Sequence, residues 1–283
     1  MLKFQSLAEA ASFSKSVHSG NASLGLIPTM GALHQGHLSL VESAKQKGDK
    51  TVVTIFVNPL QFNDEEDFKN YPITLEEDLK QLEQIGCDAV FIPRKEELYS
   101  ASPKVGFSFG AIEKKLEGAF RPGHFRGVGI IVSKLFNIIM PSRAYFGLKD
   151  LQQYLIIKQL VNDLSYQIEI VGVNTARELS GLAMSSRNMR LSKEGKIIAA
   201  NLYQGLKNAE KLFLDKIPCH HIKEETSRFY SQIEGLEIEY LELVNTENMD
   251  ELELDKEYSE VAVCVAGYVE GIRLIDNLYL RLK

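Results

Sequence analysis

Short apolar runs rich in β-branched residues alternate with longer amphipathic stretches through about the first 175 residues, and this alternation restricts the fold most strongly. Parallel strands cannot be joined by a tight turn, so strands separated by helices form a parallel sheet whose crossovers cover its faces. The sequence therefore predicts an α/β fold, a parallel sheet with helices on both faces. The predicted strands are residues 23–28, 51–57, 89–92, 144–146 and 168–173, and the predicted helices are residues 36–47, 75–84, 129–139 and 151–162.

The pattern changes after Arg190, where two helices precede three strands. This order cannot extend a parallel sheet, and 283 residues exceed the usual size of one domain. We therefore expect a large domain over residues 1–180 and a smaller α+β domain, placed to act as a lid, over residues 181–283. The predicted helices of the smaller domain are residues 193–214 and 222–233, and its predicted strands are residues 238–244, 261–269 and 273–279.

Charge and composition exclude several classes of function. The net charge is −6 and the basic residues are scattered, so we expect no nucleic-acid partner. No apolar run approaches the roughly 20 residues of a membrane span, and the first residues do not resemble a signal peptide. We therefore expect a cytoplasmic protein without a membrane partner. The three cysteines are far apart in the sequence and are expected to be buried thiols rather than disulfides or zinc ligands.

Residues 28–37, PTMGALHQGH, run from the end of a predicted strand into a predicted helix. A glycine turn allows close approach of a ligand, and a helix N-terminus presents unpaired N–H groups to phosphate oxygens. Histidines three residues apart place two imidazoles on one helix face, where they can bind phosphate. The segment predicts a phosphate site, although two structural histidines would give the same pattern. The sequence contains neither a P-loop nor a GxGxxG turn.

A second polar segment, residues 181–188 (GLAMSSRN), follows the last predicted parallel strand. Hydroxyls, loop amides and an arginine fork can together bind phosphate. A solvated linker without a ligand is the alternative, but the presence of the histidine segment favours a functional site.

Together these segments resemble the HxGH motif and KMSKS-like loop of adenylyl-transferring Rossmann-like enzymes, which include class I aminoacyl-tRNA synthetases and nucleotidylyltransferases. Within that group the sequence strongly resembles the pantoate–β-alanine ligase family. The resemblance spans residues 28–190 and is much weaker in the C-terminal third. Its ordered motifs are residues 28–31 (PTMG), 56–62 (FVNPLQF), 121–128 (RPGHFRGV), 146–153 (FGLKDLQQ) and 184–188 (MSSRN).

The resemblance implies a Rossmann-like fold and two half-reactions. The carboxylate of pantoate attacks the α-phosphorus of ATP to give pantoyl adenylate and pyrophosphate, and β-alanine then displaces AMP. It also implies Mg²⁺ as cofactor and a homodimer formed through the N-terminal domain. The implied ATP-binding residues are Met30, Gly31, Ala32, Leu33, His34, Gln35, Gly36, His37, Gly147, Leu148, Lys149, Asp150, Ala176, Met184, Ser185, Ser186 and Arg187.

The same resemblance implies the catalytic roles. His34 and His37 contact the phosphates, with His37 as proton donor, and Lys149 stabilises the transition state at the α-phosphorus. Asp150 is the expected Mg²⁺ partner, directly or through water. A surface ion pair is the alternative for Lys149 and Asp150. The implied pantoate ligands are Gln61, Gln153 and Asn58, and Gln61 is also the implied β-alanine ligand.

Arg121 and His124 fall in a segment that resembles a flexible loop of the family near the substrates. Three positions depart from the family pattern: Leu148 stands where glutamate is common, Ser180 where aspartate is common, and Ala176 where a larger aliphatic residue is usual. Two other functions remain open from the sequence. One is a nucleotidylyltransferase with a phosphate-bearing acceptor, and the other is a nucleotide-binding module without catalysis.

Overall fold

The computed structural model describes residues 1–63, 65–253 and 256–282. The chain divides into two compact units. The first unit comprises Met1–Gly147 and Gln152–Val173, and the second comprises Leu148–Leu151 and Asn174–Lys283. The predicted domain limits, residues 180 and 181, remain a prediction; the units change between Val173 and Asn174, and residues 148–151 group with the second unit.

The first unit is built on six parallel strands in the order β1-β4-β3-β2-β5-β6, which confirms the predicted parallel sheet. The strands are β1 (Leu2–Phe4), β2 (Leu24–Thr29), β3 (Lys50–Ile55), β4 (Ala89–Phe91), β5 (Arg143–Gly147) and β6 (Glu169–Val173). The helices are α1 (Leu7–Ser19), α2 (Gln35–Gln46), α3 (Glu65–Lys69), α4 (Leu75–Gln84), α5 (Lys95–Leu98), α6 (Glu117–Phe120), α7 (His124–Ile139) and α8 (Leu151–Asp163), the last beginning one residue before the first unit resumes. Short 3₁₀ helices cover Pro59–Gln61 and Ile112–Lys114.

Both faces of this sheet are buried. Ile27 and Val53 lie in one core cluster with side chains of α2 and α4. Because successive strand residues point to opposite faces, the neighbouring Leu26 and Val52 point to the other face, where they are also fully buried. On the paired helices α1 and α7, the Ser14 hydroxyl donates to the carbonyl of Ile139. Continuous burial on both faces explains the apolar, β-branched strand sequences.

The order of the strands places the functional segments at one edge. All strands are parallel, so their carboxyl ends lie on the same side of the sheet. Strands β3 and β4 follow β2 on one side, whereas β5 and β6 lie on its other side, so the strand order switches between the adjacent strands β2 and β5. Ligands of open α/β sheets bind at the carboxyl ends near such a switch point. Residues 30–37 and 56–62, which follow β2 and β3, both begin at this edge.

The second unit has its own core. Its antiparallel sheet has the order β7-β8-β9, and buried side chains of this sheet share a cluster with those of two helices. This arrangement confirms the predicted smaller α+β fold. The elements are α9 (Lys193–Leu214), α10 (Cys219–Ser231), β7 (Glu237–Asn245), β8 (Glu260–Val269) and β9 (Ile272–Arg281), with 3₁₀ helices at Leu148–Asp150 and Ser186–Arg190.

The structure contains elements that were not predicted from the sequence, including the short helices α3, α5 and α6. The first strand and helix, β1 and α1, were not predicted, although Ser6 and Glu9 form a capping box that marks the start of α1. Helix α7 begins at His124 rather than at residue 129. Its glycines resemble helix breakers in the sequence, but Gly127 packs directly against the carbonyl of Leu60. Tertiary contact therefore outweighs low helix propensity here.

Candidate active site

The turn after β2 has an unusual backbone. Gly31 and Ala32 both have positive φ, 81° and 49°. Positive φ is strained for a residue with a side chain, so the surrounding structure must hold Ala32 in place. The Gly31 N–H donates to the hydroxyl of Thr29 at 3.2 Å. The turn delivers the chain to His34, the N-cap of α2.

His34 and His37 lie side by side, with ring centroids 4.0 Å apart. Nδ1 of His34 accepts from the N–H of Gly36 at 3.1 Å, and Nδ1 of His37 accepts from the N–H of His34 at 3.3 Å. A nitrogen that accepts carries no proton, so each neutral ring is protonated on Nε2. Both histidines are therefore set as Nε2–H donors, the form that can bind a phosphate oxygen.

A buried carboxylate that the sequence did not reveal holds the turn. Asp78 of α4 is 1% exposed and accepts from the N–H groups of Ala32 and Leu33 at 2.9 and 2.8 Å. The Thr74 hydroxyl donates to the same carboxylate at 2.9 Å. These bonds compensate the strained φ of Ala32. A buried acid in the first turn of an amphipathic helix could not be distinguished from a solvated one by sequence spacing.

The expectation that this turn presents unpaired N–H groups to phosphate is wrong for four amides. The amides of Ala32 and Leu33 donate to Asp78, and those of His34 and Gly36 donate to the two imidazoles. An N-cap side chain normally takes the first helical amides in this way. These four amides are therefore already paired with groups of the protein itself.

A second set of polar groups surrounds Gln61, which is 9% exposed. The amide of Asn58 donates to Oε1 of Gln61 at 3.2 Å and to the carbonyl of Gly127 at 3.2 Å. The Tyr99 hydroxyl donates to Oδ1 of Asn58 at 3.0 Å, and burial raises the pKa of Tyr99, so that it stays a donor. Nε2 of Gln61 contacts Sδ of Met30 at 2.9 Å. The structure thus brings three predicted site residues, Met30, Asn58 and Gln61, into one group.

His124 and Arg121 hold the backbone of Gln61. Nδ1 of His124 lies 2.7 Å from the Gln61 carbonyl, and Arg121 donates to the same oxygen at 3.3 Å. A carbonyl only accepts, so Nδ1 of His124 carries the proton. The expectation that His124 lies in a flexible loop is wrong: it is the first residue of α7 and is 7% exposed. Arg121 lies in the connection between α6 and α7.

The third predicted pantoate ligand, Gln153, lies half-buried in α8. Its neighbour Gln152 has a structural role, since its amide donates to the carbonyls of Ile112 and Lys115 at 2.7 and 2.8 Å. Gly147 ends β5, and Gln35 begins α2 with an exposed side chain.

The second unit carries the other predicted phosphate ligands. Lys149 and Asp150 form an ion pair at 3.7 Å, with side chains 18% and 49% exposed. Ser185 is the N-cap of the 3₁₀ helix, and its hydroxyl accepts from the N–H of Arg187 at 3.3 Å. Ser186 is buried and Arg187 is half-buried.

The departures from the family pattern have separate environments. Leu148 is 7% exposed, so a leucine fits its buried position. Ser180 lies exposed in the turn before Leu182 and accepts from the N–H of Leu182 at 3.4 Å. The Ala176 carbonyl accepts from the N–H of Met184 at 2.9 Å, so it supports the chain that leads to Ser185.

The described residues contain neither a disulfide nor a cluster of metal ligands. Cys87 and Cys264 are buried thiols, whereas the thiol of Cys219 is only half-buried. Across residues 1–63, 65–253 and 256–282, no group of three or more His, Cys, Asp or Glu side chains could hold a metal ion by itself. No helix within these residues is both long and apolar enough to cross a membrane.

The sheet order and the position of these segments define a Rossmann-like α/β protein with an appended α+β unit. Residues 3–279 match the family described as pantoate-beta-alanine ligase. The pantothenate synthetase of Cytophaga hutchinsonii is 49% identical over 263 residues, 93% of each chain. That of Thermotoga petrophila is 43% identical over 278 residues, 98% of each chain.

Solved structures agree with this assignment. The pantothenate synthetase of Thermus thermophilus superposes with a TM-score of 0.91 at 37% identity, covering 98% of this chain and 99% of the other. The pantoate–β-alanine ligase of Francisella tularensis, described as complexed with beta-gamma ATP and β-alanine, has a TM-score of 0.81 at 32% identity, covering 98% and 97%. This chain therefore belongs to the pantoate–β-alanine ligase family, and it is an enzyme of that kind.

Proposed function

We propose that this enzyme activates pantoate with ATP as pantoyl adenylate and then transfers the pantoyl group to β-alanine. Pantothenate, a precursor of coenzyme A, AMP and pyrophosphate are the products. The observation that carries the proposal is the imidazole pair of His34 and His37, whose Nδ1 atoms both accept backbone N–H groups. Their Nε2–H groups are thereby assigned to phosphate oxygens.

The first half-reaction brings two anions together. An oxygen of the pantoate carboxylate forms a bond to the α-phosphorus of ATP, and the bond from that phosphorus to the bridging oxygen of pyrophosphate breaks. Donors aimed at the phosphates stabilise the charge that develops on the leaving group. His37 acts as proton donor beside His34, and Lys149 supplies a positive charge for the α-phosphate. Ser185, Ser186 and Arg187 are proposed as further phosphate ligands.

Other backbone and side-chain atoms of the predicted ATP site keep contact roles in this proposal. They bind the nucleotide without taking part in proton or charge transfer. These residues are Met30, Gly31, Ala32, Leu33, Gln35, Gly36, Gly147, Leu148, Ala176 and Met184.

Pantoate is proposed to bind at Gln61, Asn58 and Gln153. A thioether is a weak acceptor, so Nε2 of Gln61 can exchange Met30 Sδ for a hydroxyl or carboxylate oxygen at a net gain. The hydrogen bonds from Asn58 and Tyr99 restrict the orientation of the Gln61 side chain before substrate arrives. Such pre-organisation lowers the ordering entropy that binding would otherwise cost.

We propose that Asp150 would hold the Mg²⁺ that accompanies ATP. Mg²⁺ commonly uses one or two carboxylates together with phosphate oxygens and water, so the single, half-exposed carboxylate of Asp150 fits this ion. When bound, Mg²⁺ would neutralise phosphate charge. Lys149, 3.7 Å from Asp150, adds a positive charge to the same group of residues.

In the second half-reaction the amine of β-alanine attacks the acyl carbon of the adenylate. The carbon–nitrogen bond forms, the bond from the acyl carbon to the AMP oxygen breaks, and the amine loses a proton. Gln61 is proposed as a ligand of β-alanine as well as of pantoate.

Because the adenylate is a reactive mixed anhydride, water must be excluded between the two steps. We propose that the second unit acts as a lid, and identical small-angle scattering with and without an adenylate analogue would contradict a large closure.

The proposed setting is the cytoplasm, and the proposed assembly is a homodimer formed through the first unit. The substrates are small molecules, and neither a nucleic acid nor a membrane takes part. The separated basic residues and the absence of a long apolar run in the sequence support this setting.

The test is AMP release with pantoate, β-alanine and Mg-ATP, omitting each component in turn and adding a chelator in one arm. AMP release should require all components. An adenylylated, phosphate-bearing product would instead indicate a nucleotidylyltransferase.

His37→Ala and Lys149→Ala should each lower turnover by about 10²-fold or more, as loss of an oxyanion donor does. The exposed His221→Ala is the matched control and should retain wild-type turnover.

A further inference from the structure

Strand β9 carries two adjacent polar residues in the interior of the second unit. Asp276 is 4% exposed and Asn277 is 5% exposed. Buried charges and amides are costly unless every polar atom finds a partner. The partners of these two side chains therefore indicate why the second unit holds polar groups here.

Arg177 pairs with Asp276 in a two-pronged arrangement. Its guanidinium donates to the two carboxylate oxygens at 2.6 and 2.9 Å. It also donates to the carbonyls of Gly181 and Asn277, each at 3.1 Å, and lies 3.8 Å from the ring centroid of Tyr203. The planar fork of arginine matches this geometry, whereas a lysine could not form two parallel bonds.

Asn277 connects the same strand to the proposed catalytic lysine. Its side-chain amide donates to the carbonyls of Leu148 and Lys149 at 3.0 and 2.7 Å. The two partners lie 129 and 128 residues away in the sequence. Two bonds from one amide restrict both the position and the rotation of this short helical segment. They also account for residues 148–151 grouping with the second unit.

Arg177 likewise supports the chain that leads to the serine–arginine segment. Its own backbone forms a bridge with Ala183, and its side chain holds the carbonyl of Gly181. Asn188, 5% exposed, donates to the carbonyl of Ala183 at 3.0 Å. The turn before Ser185 is thus held on one side by Arg177 and on the other by Asn188.

We infer that Arg177, Asp276 and Asn277, here called the β9 cluster, are positioning residues that hold Lys149 and the Ser185–Arg187 segment as one phosphate-binding group on the second unit. The inference rests on the proposed function, because it requires Lys149 to act on the nucleotide. The C-terminal unit then contributes to adenylation through the placement of these ligands. None of the three cluster residues needs to touch the substrate.

A purely structural role is the alternative, since buried ion pairs stabilise neighbouring structure. The two roles predict changes in different measured properties. A structural group changes the stability of the second unit alone, whereas a positioning group changes turnover through Lys149. The Arg273–Glu239 pair provides a matched control: it also joins β9 to a carboxylate, with donor distances of 2.9 and 2.5 Å and side chains 20% and 14% exposed.

The experiment measures pantoate-dependent exchange of pyrophosphate into ATP, which reports the first half-reaction alone. The variants are Asn277→Ala, Asn277→Asp, Lys149→Ala and the control Glu239→Gln, each with its thermal midpoint. Aspartate keeps the size of asparagine but cannot donate. Both Asn277 variants should lower the exchange rate by about 10²-fold, the effect of misplacing a catalytic group by about 1 Å. Glu239→Gln should lower the thermal midpoint at least as much as the Asn277 variants do. Its exchange rate should stay within about twofold of the wild-type rate.

A double-mutant cycle separates the two roles. If Asn277 acts through Lys149, Asn277→Ala should add little to the loss already caused by Lys149→Ala. Additive losses, or exchange within about twofold of wild type in both Asn277 variants, would overturn the inference and leave the proposed function intact. Normal exchange in Lys149→Ala would instead overturn the assignment of Lys149. Should Asn277→Ala fail to fold, Asn277→Ser, which keeps one donor, replaces it in the cycle: its own loss of exchange should be smaller, and it should likewise add little to the loss caused by Lys149→Ala.

Discussion

At the scale of single residues, hydrogen bonds within the candidate site determine the proton position on its imidazoles and the orientation of its amide side chains. The Nδ1 atoms of His34 and His37 accept hydrogen bonds from backbone N–H groups at the start of α2. Each neutral ring is therefore protonated on Nε2. At Gln61 the backbone carbonyl is held by His124 while the side chain is oriented by Asn58. At the histidines a backbone N–H determines the tautomer, whereas at Gln61 a neighbouring side chain determines the orientation.

Asp78→Asn tests the support of the strained turn. An amide keeps one acceptor oxygen but places an NH₂ group against a second backbone N–H, so one buried donor loses its partner. The free energy of unfolding should fall by about 1–3 kcal/mol, the cost of an unsatisfied buried group. AMP release should fall as well, because Ala32 is no longer held at positive φ. Urea unfolding and the AMP assay are the measurements.

The exposed neighbour Glu77 provides the control for this prediction. Glu77→Gln should change neither the unfolding free energy beyond about 0.5 kcal/mol nor the AMP release. Equal effects of the two substitutions would show that Asp78 has no special role in the turn.

At the scale of elements, close approach between α7 and the 3₁₀ helix Pro59–Gln61 determines the position of Gln61, a proposed pantoate ligand. A Cβ atom on Gly127 would fall far inside van der Waals contact with the carbonyl of Leu60 and lie 2.7 Å from the amide of Gln61. Glycine in a helix costs about 1 kcal/mol relative to alanine. Tight packing, rather than helix propensity, therefore explains glycine at this position.

Gly127→Ala should raise the KM for pantoate, because the 3₁₀ helix must move and carry Gln61 with it. Gly205→Ala is the matched control, since its Cβ would collide with the buried ring of Tyr230 in the second unit. Both changes should destabilise by about 1–3 kcal/mol through overpacking. Only the first should change the KM for pantoate, which steady-state kinetics measures; a shift of equal size in both would contradict a local effect.

Asp88, which directly precedes β4 and bonds to residues of β3, should make the stability of the fold depend on pH. Burial disfavours the charged form of Asp88, but hydrogen bonds from Lys50 and Thr51 outweigh it, so the pKa of Asp88 lies below its ordinary value of 3.8. The folded state thus favours the ionised carboxylate. Its stabilising contribution is complete above the ordinary pKa and is lost as the pH falls through the lowered value.

We expect the urea midpoint of the wild-type protein to fall as the pH decreases below about 4. Asp88→Asn removes this group, so its midpoint should fall less over the same range. Asp163→Asn, at an exposed position, should keep the wild-type pH dependence. The prediction fails if Asp88→Asn retains the full wild-type slope.

At the scale of the whole molecule, the overall charge and the local charge act in opposite directions. A net charge of −6 repels ATP and pantoate, which are anions. Binding must therefore depend on local donors, and the donors proposed above are the imidazoles of His34 and His37, Lys149 and Arg187. Each unit has its own core, so the ligands of each are positioned by separate packing.

Sedimentation equilibrium tests the proposed homodimer. We expect a mass of twice the 31.8 kDa of one chain at micromolar protein. The second unit, residues 148–151 and 174–283, is not expected to contribute to this interface. A mass of one chain that does not change with concentration would contradict the dimer.

Much of the fold and part of the site could be predicted from the sequence. Helices 75–84 and 193–214 were predicted with the bounds that the structure has, because long periodic segments encode their own burial. The histidine segment and residues 184–188 could be recognised because their chemistry lies in consecutive residues. The start of α7 was missed, since glycines at residues 127 and 129 are compatible with a helix only where another element packs against them.

The sequence by itself determined the family and the alternation of strands and helices, because both are encoded in local spacing and composition; the reactive side chains that it indicates remain a proposal. Only the tertiary structure decided which side chains hold them. Asp78 is 46 residues from Ala32, and Asn277 is 128 residues from Lys149. Contacts at such separations leave no periodic signal in the chain; they arise when packed layers bring distant polar groups into a medium where each must find a partner.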